Sequence, residues 1–160
     1  MADDWLSPII DQMVTILQAN LPTEIDDLDT SLEDIPNQFM HKAAMQYNLQ
    51  YPSIEIFPSG QSGIDPNYTN GTIDFDWRIV TIINLTAKDE EAGELDMRKY
   101  MTAVIKTLEK GTGSNDMTID GKARFAGPIG VDFVNGGDPG NIVFSIIIIW
   151  QIVLSQDSLA

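Results

Sequence analysis

The sequence predicts an α+β domain: a mostly antiparallel sheet with an N-terminal helix and one long central helix packed on it. Three observations predict this. Apolar residues recur at helical spacing near the N-terminus and again in the segment before Gly111; strict alternation marks residues 73–85; and the chain closes on NIVFSIIIIWQIVLSQ, residues 141–156. At 160 residues the chain is one domain, 1–160, long enough to bury a real core.

The first segment, DDWLSPIIDQMVTILQAN, offers Asp3 and Asp4 as caps and Pro8 near the first turn. Leu6, Ile9, Ile10, Met13, Ile16 and Leu17 form its apolar stripe, and the helix is expected to end before Leu21-Pro22. The acidic stretch TEIDDLDTSLEDIP reads as a loop or a frayed turn, and NQFMHKAAMQYNLQ after Pro36 as a second short helix. PSIEIF then predicts a strand over 53–57.

Residues 58–72, PSGQSGIDPNYTNGT, hold three glycines and two prolines and read as a long, mobile hairpin loop. Its only apolar anchors are Ile64 and Tyr68, which are the expected contacts to a partner. IDFDWRIVTIINLT alternates Ile73, Phe75, Trp77, Ile79, Ile83 and Leu85 against Asp74, Asp76, Arg78 and Asn84, the clearest strand of the chain. In AKDEEAGELDMRKYMTAVIKTLEKG, Asp89, Glu90 and Glu91 load the first turn, Lys106 and Lys110 the last, and Gly111 follows as a C-cap. Leu95, Met97, Met101, Val104, Ile105 and Leu108 form the expected apolar stripe of this helix. Strands are expected near 117–126 and 129–134, followed by the turn NGGDPG and the closing strand.

The uninterrupted apolar stretch over 142–154 is 13 residues and includes Ser145 and Gln151. A spanning helix needs roughly 20 apolar residues, so this is a strand, as its β-branched and aromatic content also requires. Alternation puts Ile142, Phe144, Ile146, Ile148, Trp150, Ile152 and Leu154 on one face, and Val143, Ser145, Ile147, Ile149, Gln151 and Val153 on the other. Neither face is made for water. One needs helices and the other a different cover, such as a second subunit, with Trp150 as an interface candidate.

With 9 basic against 24 acidic residues the formal charge is −15, which disfavours base reading and anionic membranes. Positions 1–34 hold nine acidic residues and no basic one, so one end of the fold is expected to be strongly negative. The absence of cysteine removes disulfides, thiolate metal sites and thiol nucleophiles, and the acidic head MADDW is unlike a signal peptide, so folding in the cytoplasm is expected.

Catalytic constellations fail on inventory. His41 is the sole histidine and no Gly-x-Ser-x-Gly elbow accompanies it. The glycine-rich run 110–116 lacks the order of a phosphate-binding loop. The acidic run from Asp26 has Ser31 where a calcium loop needs its turn glycine and Asn37 at the twelfth position. The expectation is a non-enzyme with neither cofactor nor metal.

The order of elements, with the Pro-flanked PSIEIFP, the strand DWRIVTIINLTA running straight into DEEAGELDMRKYMTAVIKTLE, and a glycine-broken strand pair, resembles the tail terminator proteins of tailed bacteriophages, also called tail-completion or neck proteins. The acidic linker over 23–36 is longer than that family's pattern. The resemblance implies a structural virion protein, assembled in the host cytoplasm, that forms a ring of usually six subunits. Such a ring docks on the last ring of the tail tube protein, stops its growth, and meets the head-tail connector and, in a contractile phage, the sheath. DNA passes through without specific binding, and Asp26, Asp27, Asp29, Glu33 and Asp34 are candidates for a lumen-facing acidic surface. Two rival readings are a small stand-alone binding domain of a cellular complex using the 58–72 loop, and a carboxylate- and metal-dependent enzyme.

Overall fold

The computed structural model describes residues 5–45, 50–69, 72–113, 116–138 and 140–155, and the side chains of these except 60–74, 138 and 155. The elements are α1 (Ser7–Leu28), a 3-10 turn (Asn37–Phe39), β1 (Met40–His41), β2 (Ser53–Thr69), β3 (Thr72–Ala87), α2 (Glu90–Lys110), β4 (Phe125–Asp138) and β5 (Asn141–Ser155). The five strands form one sheet in the order β1-β2-β3-β5-β4, antiparallel throughout except for the short parallel pair β1–β2. The α+β architecture with an N-terminal and a long central helix is therefore the fold of this chain.

Both helices lie on one face of the sheet. Ile9, Met13, Ile16, Leu17, Leu21 and Ile25 of α1 and Met97, Tyr100, Ala103, Val104 and Leu108 of α2 are buried against Ile54, Ile56, Ile79, Ile83, Leu85 and the even-numbered residues Phe144 to Leu154 of β5. β3 and β5 pair without a shift from Asp74↔Ser155 to Ala87↔Ile142, which holds the alternation of both strands in phase and puts every apolar residue of that set on the helix side.

Helix α2 begins where Asp89 accepts a hydrogen bond from the Ala92 N–H at 2.8 Å, carries Glu90 and Glu91 in its first turn, and ends at Gly111 with φ +64°. Leu95, expected on its apolar stripe, is instead 47 % exposed. The buried arc is rotated toward Tyr100, Ala103 and Thr107, which join Met97, Val104 and Leu108, while Met101 and Ile105 are only half-buried.

Four expectations are corrected. Helix α1 does not stop before Pro22 but runs through it to Leu28, because Leu21, Glu24 and Ile25 are buried and outweigh the one missing N–H. It starts after Leu6 without a side-chain cap, and the expected caps Asp3 and Asp4 lie outside the described residues. The segment after Pro36 is a single 3-10 turn leading into β1, which buries Met40 beside Ile54; residues 46–49 lie outside the described residues.

Residues 58–69 are strand and not loop: β2 continues to Thr69 and β3 starts at Thr72, with Ile64 paired to Phe75, while residues 70 and 71 lie outside the described residues. Register shifts between Pro58 and Ser62 and between Asp65 and Thr69 accommodate the prolines and glycines that made the stretch look irregular. Finally, the strand expected from 117 begins only at Phe125. Met117, Ile119 and Asp120 have φ between 51° and 54°, a left-handed backbone that no strand can contain, and the turn they make drops Ile119 wholly into the core.

Candidate functional site

The face of the sheet away from the helices is built in rows across the strands. The register Ser53↔Asn84↔Ser145 aligns one polar row. In it the Asn84 amide donates to Glu55 Oε2 at 2.8 Å and the Ser145 hydroxyl donates to Asn84 Oδ1 at 2.7 Å. Glu55, only 5 % exposed, also accepts from the Met45 N–H at 2.6 Å, so a buried carboxylate is satisfied from two sides.

The next two rows toward the far end are aliphatic on β3 and β5, the first of them flanked by Glu55 on β2 and Asp132 on β4. Ile82 stands opposite Ile147, and Phe57, Val80 and Ile149 stand abreast. Val80 is buried by its neighbours alone, whereas Phe57, Ile82, Ile147 and Ile149 are half-buried. A second polar row follows, in which Arg78 pairs with Asp76, and Asp76 accepts from the Gln151 amide at 3.2 Å. Two polar rows thus bracket a band of branched side chains over which, among the described residues, no helix packs.

The edges of the sheet are unequal. At one side β1 covers only Ile54 and Glu55 of β2. At the other side β4 is the last strand, and Phe125, Ile129, Val131, Phe133 and Val134 are 38 to 50 % exposed along it. Val131 and Phe133 stand opposite Ile148 and Ile146, on the helix side of the sheet, yet remain open because α2 sits over β3 and β5 rather than over β4.

The sequence-predicted residues fall in different places. Trp150 is fully buried inside its own subunit, with its indole N–H donating to Thr81 Oγ1 at 3.1 Å, so it belongs to the core and not to an interface. The side chains of Ile64 and Tyr68 lie outside the described residues. Asp26 and Asp27 are exposed on the last turn of α1, and Glu33 and Asp34 are exposed beyond it. Asp29 instead binds back onto α2: Lys99 Nζ lies 2.5 Å from its carboxylate, and Ser31 donates to the same group through N–H and hydroxyl at 2.9 and 2.6 Å. The Glu33 carbonyl accepts from the Tyr100 hydroxyl at 2.5 Å. The acidic run is therefore stitched to the central helix at two points, while its other carboxylates face solvent. The β5 half of the band, Ile147 and Ile149, is the face that the alternation of β5 marks as needing a second cover; Val80 and Ile82 of β3 and the open strand β4 carry no such mark in the sequence.

A cavity of about 270 Å³ lies where the run meets α2, lined by Ser31, Glu33, Tyr51, Thr86, Asp96 and Tyr100 among others. Burial pushes the Asp96 carboxyl and the Tyr100 phenol above their ordinary values. Among the described residues no group of three or more His, Cys, Asp or Glu could hold a metal, and no helix is long and apolar enough to cross a membrane.

The hydrogen bond from Lys99, helped by those from Ser31, holds the Asp29 carboxyl well below the usual carboxylate range. A folded-state value below the unfolded one contributes stability above the ordinary value of 3.8, and that contribution fades as acid is added, because the unfolded chain takes up the proton first. Asp29→Asn should therefore lower the melting temperature at neutral pH, with the gap to wild type closing below about pH 4. Parallel melting curves from pH 7 to pH 3 check this, and a gap that is constant with pH refutes it.

No protein-family model matches the chain, and no curated protein matches it.

Proposed function

We propose that this protein is a tail terminator: a structural ring, six subunits in the favoured reading, that caps a phage tail tube and joins it to the head connector. The observation that carries the reading is the uncovered aliphatic band of β3 and β5 beside an open apolar edge strand, in a chain of net charge −15. A subunit that folds a complete core and still leaves such surface is suited to assembly, and surfaces of this kind mark interaction sites. The element order supports the identity of the assembly, because β3 runs into the Asp89-capped α2 with only Lys88 and Asp89 between them, over the segment that carries the family resemblance.

Net negative charge suits a conduit for DNA, since a wall of carboxylates repels phosphate and lets the duplex slide. Asp26, Asp27, Glu33 and Asp34 are the exposed candidates for such a wall. The test is the particle. Tails assembled without this protein should lose length control and fail to join heads; tails of normal length on joined heads would refute the assignment.

A further inference from the structure

We propose that copies of this chain associate head to tail by sheet extension, the open edge of β4 in one subunit pairing with the outer edge of the β2 arm, residues 57–69, in the next. The inference deepens the ring reading and rests on it only for closure.

The first support is the state of the β4 edge. Natural edge strands are blunted by lysine, proline, bulges or brevity. β4 is 14 residues long and carries no lysine or arginine. Its one proline and its one register shift both fall at 128–130, after which Gly130↔Ile149 to Asp138↔Asn141 run in unbroken register with β5. A regular strand with one side paired presents its remaining N–H and C=O groups outward, and these are complementary to another strand. Val131, Phe133 and Val134, 39 to 48 % exposed, would lose that exposure under the added strand and its cross-strand neighbours.

The occupant follows from the other side of the sheet. Beyond Glu55 no further strand pairs with the outer side of β2 among the described residues, so the molecule carries a second edge opposite the first, whose regular part is Ser62–Asp65, between the two register shifts that take up Pro58 and Pro66. One kind of contact between copies then uses both. Successive antiparallel pairings make β2 run opposite to β4. A neighbour rotated about an axis along the strands therefore brings β2 to β4 antiparallel, and the alternation of the sheet continues across the joint.

Charge points to the same place. Residues 57–69 and 125–138 together hold three charged residues, Asp65, Asp132 and Asp138, among 27, about half the 21 % of the whole chain. Copies that repel each other over most of their surface repel least there. Because the two edges differ, the contact is heterologous, and it gives a ring where the rotation closes and a filament where it does not.

The chain has no cysteine, so single thiols can report the contact. Phe133→Cys and Ser62→Cys are made as separate full-length proteins, checked for unchanged melting, and treated with a short bismaleimide at the highest attainable concentration, alone and mixed. Phe133 is 45 % exposed, so its replacement leaves the core intact. Covalent dimer should form in the mixture and in neither protein alone, and a chain carrying both cysteines should give a ladder of higher multimers.

A dimer from Phe133→Cys alone means that β4 pairs with itself and overturns the proposal. So does an oligomer seen by light scattering without mixed cross-links, which leaves the ring reading standing on another interface. A monomer without cross-links overturns it as well. Mixed cross-links together with normal tails in particles lacking the protein would keep the edge pairing and remove the terminator reading.

Discussion

Trp150→Ala should lower the melting temperature by on the order of 10 °C, the largest single-residue effect expected in this protein. The side chain is fully buried between the sheet and the helices, so its removal leaves a cavity that the packed branched residues Ile148, Ile152 and Ile79 cannot collapse into. Truncation of a buried Trp costs about 3–5 kcal/mol, and each kcal/mol shifts the midpoint of a chain of this size by about 2–4 °C. The Thr81 hydroxyl, itself buried, loses its indole donor in the same step. Trp150→Phe should lose much less, since it keeps most of the volume. Urea melts with an unchanged slope would assign the loss to stability rather than to a change of state. A Trp150→Ala protein that melts with the wild type would contradict the placement of β5 under both helices.

Gly93→Val should be the second most damaging change, at about 3 kcal/mol. Glycine inside a helix costs roughly 0.8–1.0 kcal/mol relative to alanine, so a glycine at the end of the first turn of α2 needs a reason. The reason is Phe144, whose ring edge would lie 2.2 Å from a Cβ at position 93, and Phe144 is itself fully buried and unable to swing out. Gly93→Ala already brings this overlap, which outweighs its gain in propensity, and should be destabilising, though less than valine. Phe144→Leu costs stability in its own right but makes room, so Gly93→Ala should be less harmful in that background than in the wild type. A double-mutant cycle between the two positions measures the coupling, and strict additivity would mean that α2 does not sit where the fold places it.

These two positions differ in how far they could be read beforehand. Trp150 shares a parity with Ile148 and Ile152, so period-two alternation alone put it on one apolar face. Gly93 stands between Ala92 and Glu94 in an acidic first turn and carries no local mark of its contact, because Phe144 lies 51 residues away in the sequence. The same division holds for the candidate surface. That β5 is apolar on both sides is written in NIVFSIIIIWQIVLSQ; that helices cover one side and leave Ile147 and Ile149 half-open on the other depends on where α1 and α2 come to rest.

The sequence by itself determined the class of the fold, the β3-to-α2 transition with its Asp89 cap and Gly111 stop, and the closing strand. Each of these is a local matter of periodicity, capping or side-chain branching, decided within a few residues. Tertiary structure alone decided the rest. It carried α1 through Pro22, because burying Leu21 and Ile25 outweighs one lost hydrogen bond. It carried β2 as strand through residues 58–69, because register shifts against β3 take up the prolines and glycines that suggested a loop. It left β4 as the open edge, because strand order is fixed by pairing between residues far apart in sequence, and no short window of the sequence records which strand will be last.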